Sequence, residues 1–202
     1  MPRRYRLGRR AEQMASTRAR IIQAAIDLYT DRGISATSMQ EVARRADVAP
    51  GTVANHFPTR DDLDEAIVER ALAEMPAPDL SIYDGRETIA ARIGRLSRET
   101  GIFLDHAAPW YRMWLREPMV TGPWAEAGAA AGARWDALFR AALGPLADDM
   151  DAMAVLRAVM QPTFFDALRS DSRSTDQVAD LVAATITPWL ESTAAVRGRA
   201  SR

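Results

Sequence analysis

Every basic side chain in this chain is an arginine, and eleven of the twenty-six fall within the first sixty residues. A guanidinium offers a planar fork of donors that matches phosphate oxygens and base edges. Residues 1–60 set those eleven arginines against five acids (Glu12, Asp27, Asp31, Glu41 and Asp47), a net charge of +6. Residues 61–202 carry fifteen arginines and twenty-two acids, a net of −7. The overall charge of −1 therefore hides a basic head on an acidic body. That split predicts a polyanionic partner for one end of the molecule only.

Groups that make or break bonds are scarce. There is no cysteine, which removes disulfides, thiolate metal sites and cysteine nucleophiles. The two histidines, His56 and His106, have no partner histidine at helical spacing, so no metal site is expected. No nucleophile–base pair and no phosphate loop stands out, so neither an enzyme nor a cofactor is expected. No apolar run approaches the roughly 18–20 residues needed to cross a bilayer. The Arg-rich start leads into a periodic helix with acids rather than an apolar signal segment, so a cytoplasmic protein is expected.

The elements that must position the basic head are helices. Helical periodicity recurs throughout and sustained two-residue alternation does not, which predicts an all-α fold. Residues 1–15 read as a basic flexible arm bearing Arg3, Arg4, Arg6, Arg9 and Arg10. A first helix starts near Ser16 or Thr17, turns Ile21, Ile22, Ala25, Leu28 and Tyr29 inward, and stops at Gly33. A short second helix opens with a capping box, either Thr37 with Gln40 or Ser38 with Glu41. It ends near Asp47, a residue type that tolerates the left-handed turn. A third runs from Pro50 to His56, anchored by Val53 and Phe57. Thr59 with Asp62 caps a fourth, and Pro76 and Pro78 mark the boundary beyond it.

Further on, Ile89, Ile93, Leu96, Thr100 and Phe103 repeat at bundle spacing in a helix from about Arg86 to His106. An aromatic segment, Pro109 to Pro118, separates it from a helix over about Trp124–Leu143. The last two helices span about Asp148–Arg169 and Thr175–Glu191, are apolar over wide arcs, and contain Pro162 and Pro188, each expected to kink or end its helix. The domain reading is an arm (1–15), an N-terminal helical domain with connecting helix (16–75), a larger helical domain (80–196), and a flexible tail (197–202).

Residues 37–57 thus read as helix, tight turn, helix, the arrangement that presents a second helix to the DNA major groove. Thr37-Ser-Met-Gln-Glu-Val-Ala43 and Val48-Ala-Pro-Gly-Thr-Val-Ala-Asn-His-Phe-Pro-Thr-Arg-Asp-Asp-Leu63 resemble the second, third and early fourth helices of the TetR family's DNA-binding domain. The resemblance covers residues 16–65. It implies an N-terminal three-helix helix-turn-helix domain followed by a helical bundle that binds an effector and dimerises. It also implies that Pro50, Gly51, Thr52, Asn55 and His56 lie on the DNA face, with Asn55 able to pair bidentately with adenine. By the same correspondence Arg60 contacts phosphate, Ser38 sits where the second helix approaches phosphate, and Arg44 and Arg45 face either backbone or solvent. Where the family commonly has aromatics at 54 and 56 and glycine at 47, this chain has Ala54, His56 and Asp47.

In the resembled family the later helices enclose an apolar ligand cavity. Phe103, Trp110, Trp114, Trp124, Trp135, Met160 and Phe164, with His106 at the edge, are the candidate lining here. The same stripe can equally be core. Tyr111, Glu117, Thr163 and Asp166 are further polar candidates. The function implied is a transcription regulator, a repressor on family grounds. It binds a palindromic double-stranded operator as a homodimer paired through the last two helices and is released by a small apolar or amphipathic effector. The alternative is a helical DNA-binding or protein-interaction module with no effector.

Overall fold

The computed structural model describes residues 3–116, 122–170 and 172–200; within these, the side chains of 3–7, 112, 114–116 and 200 lie outside the description. The all-α expectation holds, with no strand among the described residues. The helices are α1 (Arg3–Arg32), α2 (Met39–Arg45), α3 (Pro50–His56), α4 (Arg60–Glu74), α5 (Ile89–Arg116), α6 (Gly122–Leu143), α7 (Met150–Val159), α8 (Pro162–Leu168) and α9 (Thr175–Ala200). A short 3₁₀ turn, Leu80–Tyr83, precedes α5.

Local hydrogen-bond chemistry sets most of the N-terminal boundaries. Gly33, at φ 95°, ends α1 and returns its N–H to the Tyr29 carbonyl at 2.9 Å. Ser38 is the N-cap of α2 in a complete capping box with Glu41. Thr59 and Asp62 exchange the same reciprocal bonds at the start of α4. Asp47, at φ 52°, supplies the left-handed residue between α2 and α3.

Four expectations are corrected. The arm expected to be flexible over 1–15 is the first half of α1, which begins at Arg3. The run Arg9-Arg-Ala-Glu-Gln-Met-Ala15 consists of strong helix formers, so nothing stops the helix there. The aromatic segment after His106 is not a separate element, because α5 continues through Pro109 to Arg116. The expected helix 148–169 is two helices: the chain breaks at Gln161, as expected at Pro162, which becomes the first residue of α8, where its missing N–H costs nothing. Conversely, α9 runs through Pro188 and takes in the expected tail as far as Ala200.

The chain folds into two compact units that are not contiguous in sequence. The first comprises residues 1–74 and 109–128, the second 75–108 and 129–202. Helices α5 and α6 therefore each begin in one unit and end in the other. In the first unit Ile21, Ala25, Tyr29, Val42, Ala43, Val53, Phe57, Leu63 and Ile67 are fully buried or nearly so. Trp110 and Met113, from the last third of α5, are buried as well. The second unit has its own core, built from Ile93, Leu96, Leu138, Leu143, Leu156, Phe165, Val178, Val182 and Ile186 among others.

Candidate nucleic-acid interface

The seven residues of α3 carry two anchors, Val53 and Phe57 just past its end, each 1% exposed. A helix held on one side by a residue at position i presents i−2 and i+2 outward. Here these are Gly51 and Asn55, both exposed, flanked by exposed Pro50 and Ala54 and half-buried Thr52 and His56. A Cβ added at Gly51 would meet nothing within 4 Å, so this stretch of backbone is open to a close approach. The guanidinium of Arg18 covers the Phe57 ring at 5.0 Å, which keeps a cation at the edge of the same surface.

Two arginines hold the reading hairpin against the rest of the unit. Arg20 on α1 donates through Nη2 to the Ala46 carbonyl and, at 3.0 Å, to that of Asp47, closing the left-handed turn from behind. Arg60, the first residue of α4, donates to the carbonyls of Thr37 at 2.7 Å and Ile34 at 2.6 Å. Its Nε reaches Asp64 Oδ1 at 3.3 Å, and its guanidinium lies 4.8 Å from the centre of the Tyr29 ring. Tyr29 in turn donates its hydroxyl to Asp64 Oδ1 at 2.5 Å. Asp64 is only 6% exposed. Burial pushes its carboxyl above the usual range, against the opposing pull of the Tyr29 hydrogen bond and the Arg60 charge. Burial, with the Asp64 bond, also holds the Tyr29 phenol well above its ordinary value, so it stays a donor.

This network reassigns one residue. Arg60, expected at phosphate, spends its fork on two loop carbonyls and a buried carboxylate. Its place in the chain gives it access to the interface, and its geometry makes it a clamp. Ser38 is likewise committed: its hydroxyl accepts from the Glu41 N–H at 3.2 Å and donates to the Glu41 carboxylate at 2.9 Å. The Ser38 backbone N–H, which donates to the Glu41 carboxylate at 2.9 Å, and then the Ser38 hydroxyl hold Glu41 below its ordinary value. Arg45 turns back to α1 and pairs with Asp27 at 3.1 Å. Arg44 is 77% exposed and approaches Glu41 only at 3.8 Å, so of this pair it is the one able to reach a phosphate. Arg20 and Asp64 escaped the sequence reading. Asp64 stands among Asp61, Asp62 and Glu65 and reads as one more surface acid.

The aromatic set is divided between the two units. Trp110 and Trp124 belong to the first unit, and Phe103, Trp135, Met160 and Phe164 to the second. The Trp114 side chain and Glu117 lie outside the described residues. His106 is exposed, its Nδ1 bonded to the Ile102 carbonyl at 2.8 Å within its own helix, while Thr163 and Asp166 are exposed and Tyr111 is half-buried. Within the second unit Phe103 meets Trp135 edge-on at 5.2 Å, and Trp135 tilts against Phe139 at 5.9 Å. In the first unit Trp110 and Pro109 border a cleft with Gln23, Ile26, Thr30, Arg70 and Glu74. Its volume of about 160 Å³ falls short of the roughly 300 Å³ at which small-molecule sites begin. Among the described residues no cluster of His, Asp or Glu could hold a metal ion, and no helix is long and apolar enough to cross a membrane.

Comparison with known proteins converges on this surface. The family profile "Bacterial regulatory proteins, tetR family" matches residues 21–67, which run from the core of α1 to the middle of α4. Over 51 residues the chain is 45% identical to an HTH-type transcriptional repressor of Mycobacterium tuberculosis, covering 25% of this chain and 27% of that protein. Over 104 residues it is 31% identical to the A-factor receptor protein of Streptomyces griseus, covering 45% of this chain and 37% of that one. These matches thus span about a quarter to two fifths of the relatives' own length. A crystal structure of a TetR-like transcriptional regulator from Rhodococcus sp. RHA1 superposes with a TM-score of 0.59 at 20% identity. That superposition covers 92% of this chain and 97% of that one, a likeness of fold. Residues 21–67 thus match the DNA-binding domain of the TetR family, and the helical fold along most of the chain is like that of a TetR-like regulator.

Proposed function

We propose that the protein is a transcriptional repressor that binds a palindromic operator as a homodimer and leaves it when a small apolar or amphipathic effector occupies its C-terminal unit. The open face of α3 carries this reading. Gly51 and Asn55 point outward, Val53 and Phe57 lock the helix from behind, and Arg20 and Arg60 fix the loops on either side. Thr52, Asn55 and His56 then read base edges or phosphate in the major groove, and Arg44 holds the backbone.

Dimerisation would run through the helices of residues 148–169 (α7 and α8) and through α9. Along α9 the exposed row Leu181, Thr185, Pro188, Trp189, Ser192 and Val196 contains no charge over four turns. Leu181, Trp189 and Val196 leave 37%, 39% and 62% of their surface in water. A second copy meeting the same row would bury it symmetrically and pair two α3 helices for one palindrome. The repressor named among the relatives supports the direction of control, and the receptor supports a ligand.

Release would pass through α5 and α6, the two helices shared between the units. The end of α5 buries Trp110 and Met113 in the DNA-binding unit while its start belongs to the C-terminal unit, so α5 is the element through which an effector would act. Coupling of this kind is reciprocal: operator must weaken the effector by the factor that effector weakens operator. Sedimentation of the protein with an operator duplex tests the assembly. Two protomers per duplex, with affinity falling steeply as salt rises, is the expected result. A single protomer per duplex, or an affinity indifferent to salt, would overturn it.

A further inference from the structure

We propose that Ser97 and Thr100 on α5 are the polar anchor of the effector site, and that this site takes a neutral amphipathic molecule carrying a hydroxyl or carbonyl oxygen. The inference rests on the effector-released regulator just described and names the class of its ligand.

Ser97 is 0% and Thr100 2% exposed, and neither hydroxyl has a hydrogen-bond partner. Buried hydroxyls in a helix have an easy outlet, the carbonyl one turn back. Other threonines of this chain use it: Thr30 bonds to Ile26, Thr185 to Leu181 and Thr193 to Trp189. Ser97 and Thr100 do not. An unsatisfied buried hydroxyl costs about 1–3 kcal/mol, so two of them three residues apart on an otherwise apolar face are a poor way to fill a core. They are a good way to meet a polar atom that arrives from outside.

The surroundings set the class of that atom. The inward arc of α5 bears Ile93, Leu96 and Leu104 beside the two hydroxyls, with Phe103 one turn beyond Thr100. Phe103 and Trp135 supply an aromatic wall. The charged groups nearby are spoken for elsewhere. Arg95 pairs through Nη2 with Glu99 at 2.8 Å on the opposite side of the helix, which neutralises its charge although its Nε is buried without a partner. Arg98 turns to Asp180 at 2.9 Å. Arg92 is capped by the carbonyls of Arg86 and Ala141. Asp105 is held by Arg169 at 2.7 Å and by Thr175 at 2.6 Å. A carboxylate or ammonium arriving at Ser97 and Thr100 would find no counter-charge, and a buried unpaired charge is far costlier than a neutral oxygen. Gly101 fixes the rotation of α5: a Cβ there would come within 2.8 Å of the Thr175 methyl, so the helix lies hard against the start of α9 and the hydroxyls stay inward.

The test uses three naphthalene probes of one skeleton on the full-length protein without DNA, read by calorimetry. They are 2-naphthalenemethanol, 2-naphthoate and 2-naphthylmethylamine. The alcohol is expected to bind at least about tenfold more tightly than either ion. The S97A/T100V double variant, whose side chains keep their shape, should lose about 10- to 100-fold for the alcohol with an unchanged or higher Tm. Equal binding of the alcohol to wild type and double variant, preference for either ion, or no binding of the alcohol would each overturn the anchor. The release mechanism is judged separately. An alcohol that binds through these hydroxyls yet leaves operator affinity unchanged supports the anchor and refutes the release. An alcohol that releases operator equally from the double variant does the reverse.

Discussion

Replacing Arg60 with alanine separates two roles that its position in the sequence leaves mixed. The substitution removes both carbonyl contacts, at 2.7 and 2.6 Å, and strips the buried Asp64 of its cation. Removing one partner of a buried ion pair costs about 3–5 kcal/mol. The Arg60 side chain is 29% exposed, so solvent screening trims this to about 2–4 kcal/mol. The loss depends on pH with a definite sign. Burial already raises Asp64, and Arg60 is one of the groups pulling it down. Without Arg60 the folded-state value climbs further above the unfolded one. A carboxyl raised on folding gives its stabilisation in full below the unfolded value and loses it as pH rises through the folded value. The variant should therefore fall further behind wild type at pH 7.5 than at pH 4.5. Urea unfolding at the two pH values measures this directly. A change below about 0.5 kcal/mol at both, together with a salt slope of DNA binding reduced by about one, would refute the clamp and restore Arg60 as a phosphate contact.

Four other substitutions probe the account. Asn55→Ala should lose about 1–3 kcal/mol of operator affinity with the salt slope unchanged, whereas Arg44→Ala should weaken all duplexes alike and lower the slope by about one; titrations across a salt series separate the two. Asp47→Gly relieves a left-handed non-glycine residue and should raise stability by about 0.5–1 kcal/mol in the same urea assay, with no effect on the fold. Trp189→Arg puts a charge into the uncharged row of α9 and should shift the protein from dimer to monomer by sedimentation, with loss of tight binding to a palindrome but not of weak binding to a half-site.

The elements that were legible in the sequence are those whose cause is local. Gly33, the Ser38–Glu41 box, Asp47, Pro50 and the Thr59–Asp62 pair each act within a few residues, so their chemistry can be read without knowing the fold. The open face of α3 follows from Val53 and Phe57 by helical geometry alone. What escaped depends on contacts far apart in the chain. Asp64 looks like its acidic neighbours until α1 brings Tyr29 to it across 35 residues. Trp110 and Phe103 are seven residues apart on one helix, yet they serve the cores of different units because α5 runs through Pro109 instead of stopping there. Thr100 reads as an ordinary seam position and Ser97 carries no signal of its own, and only their burial without a partner sets them apart.

The central claim is that α3 reads sequence in a paired site, and selection from a random duplex library at near-physiological salt tests it most directly. Enrichment of a palindrome by the wild-type protein, lost in the Asn55→Ala variant while salt-dependent binding persists, is the result predicted here. A folded, dimeric protein that enriches no sequence, or one whose enriched sequence is untouched by Asn55→Ala, would contradict it.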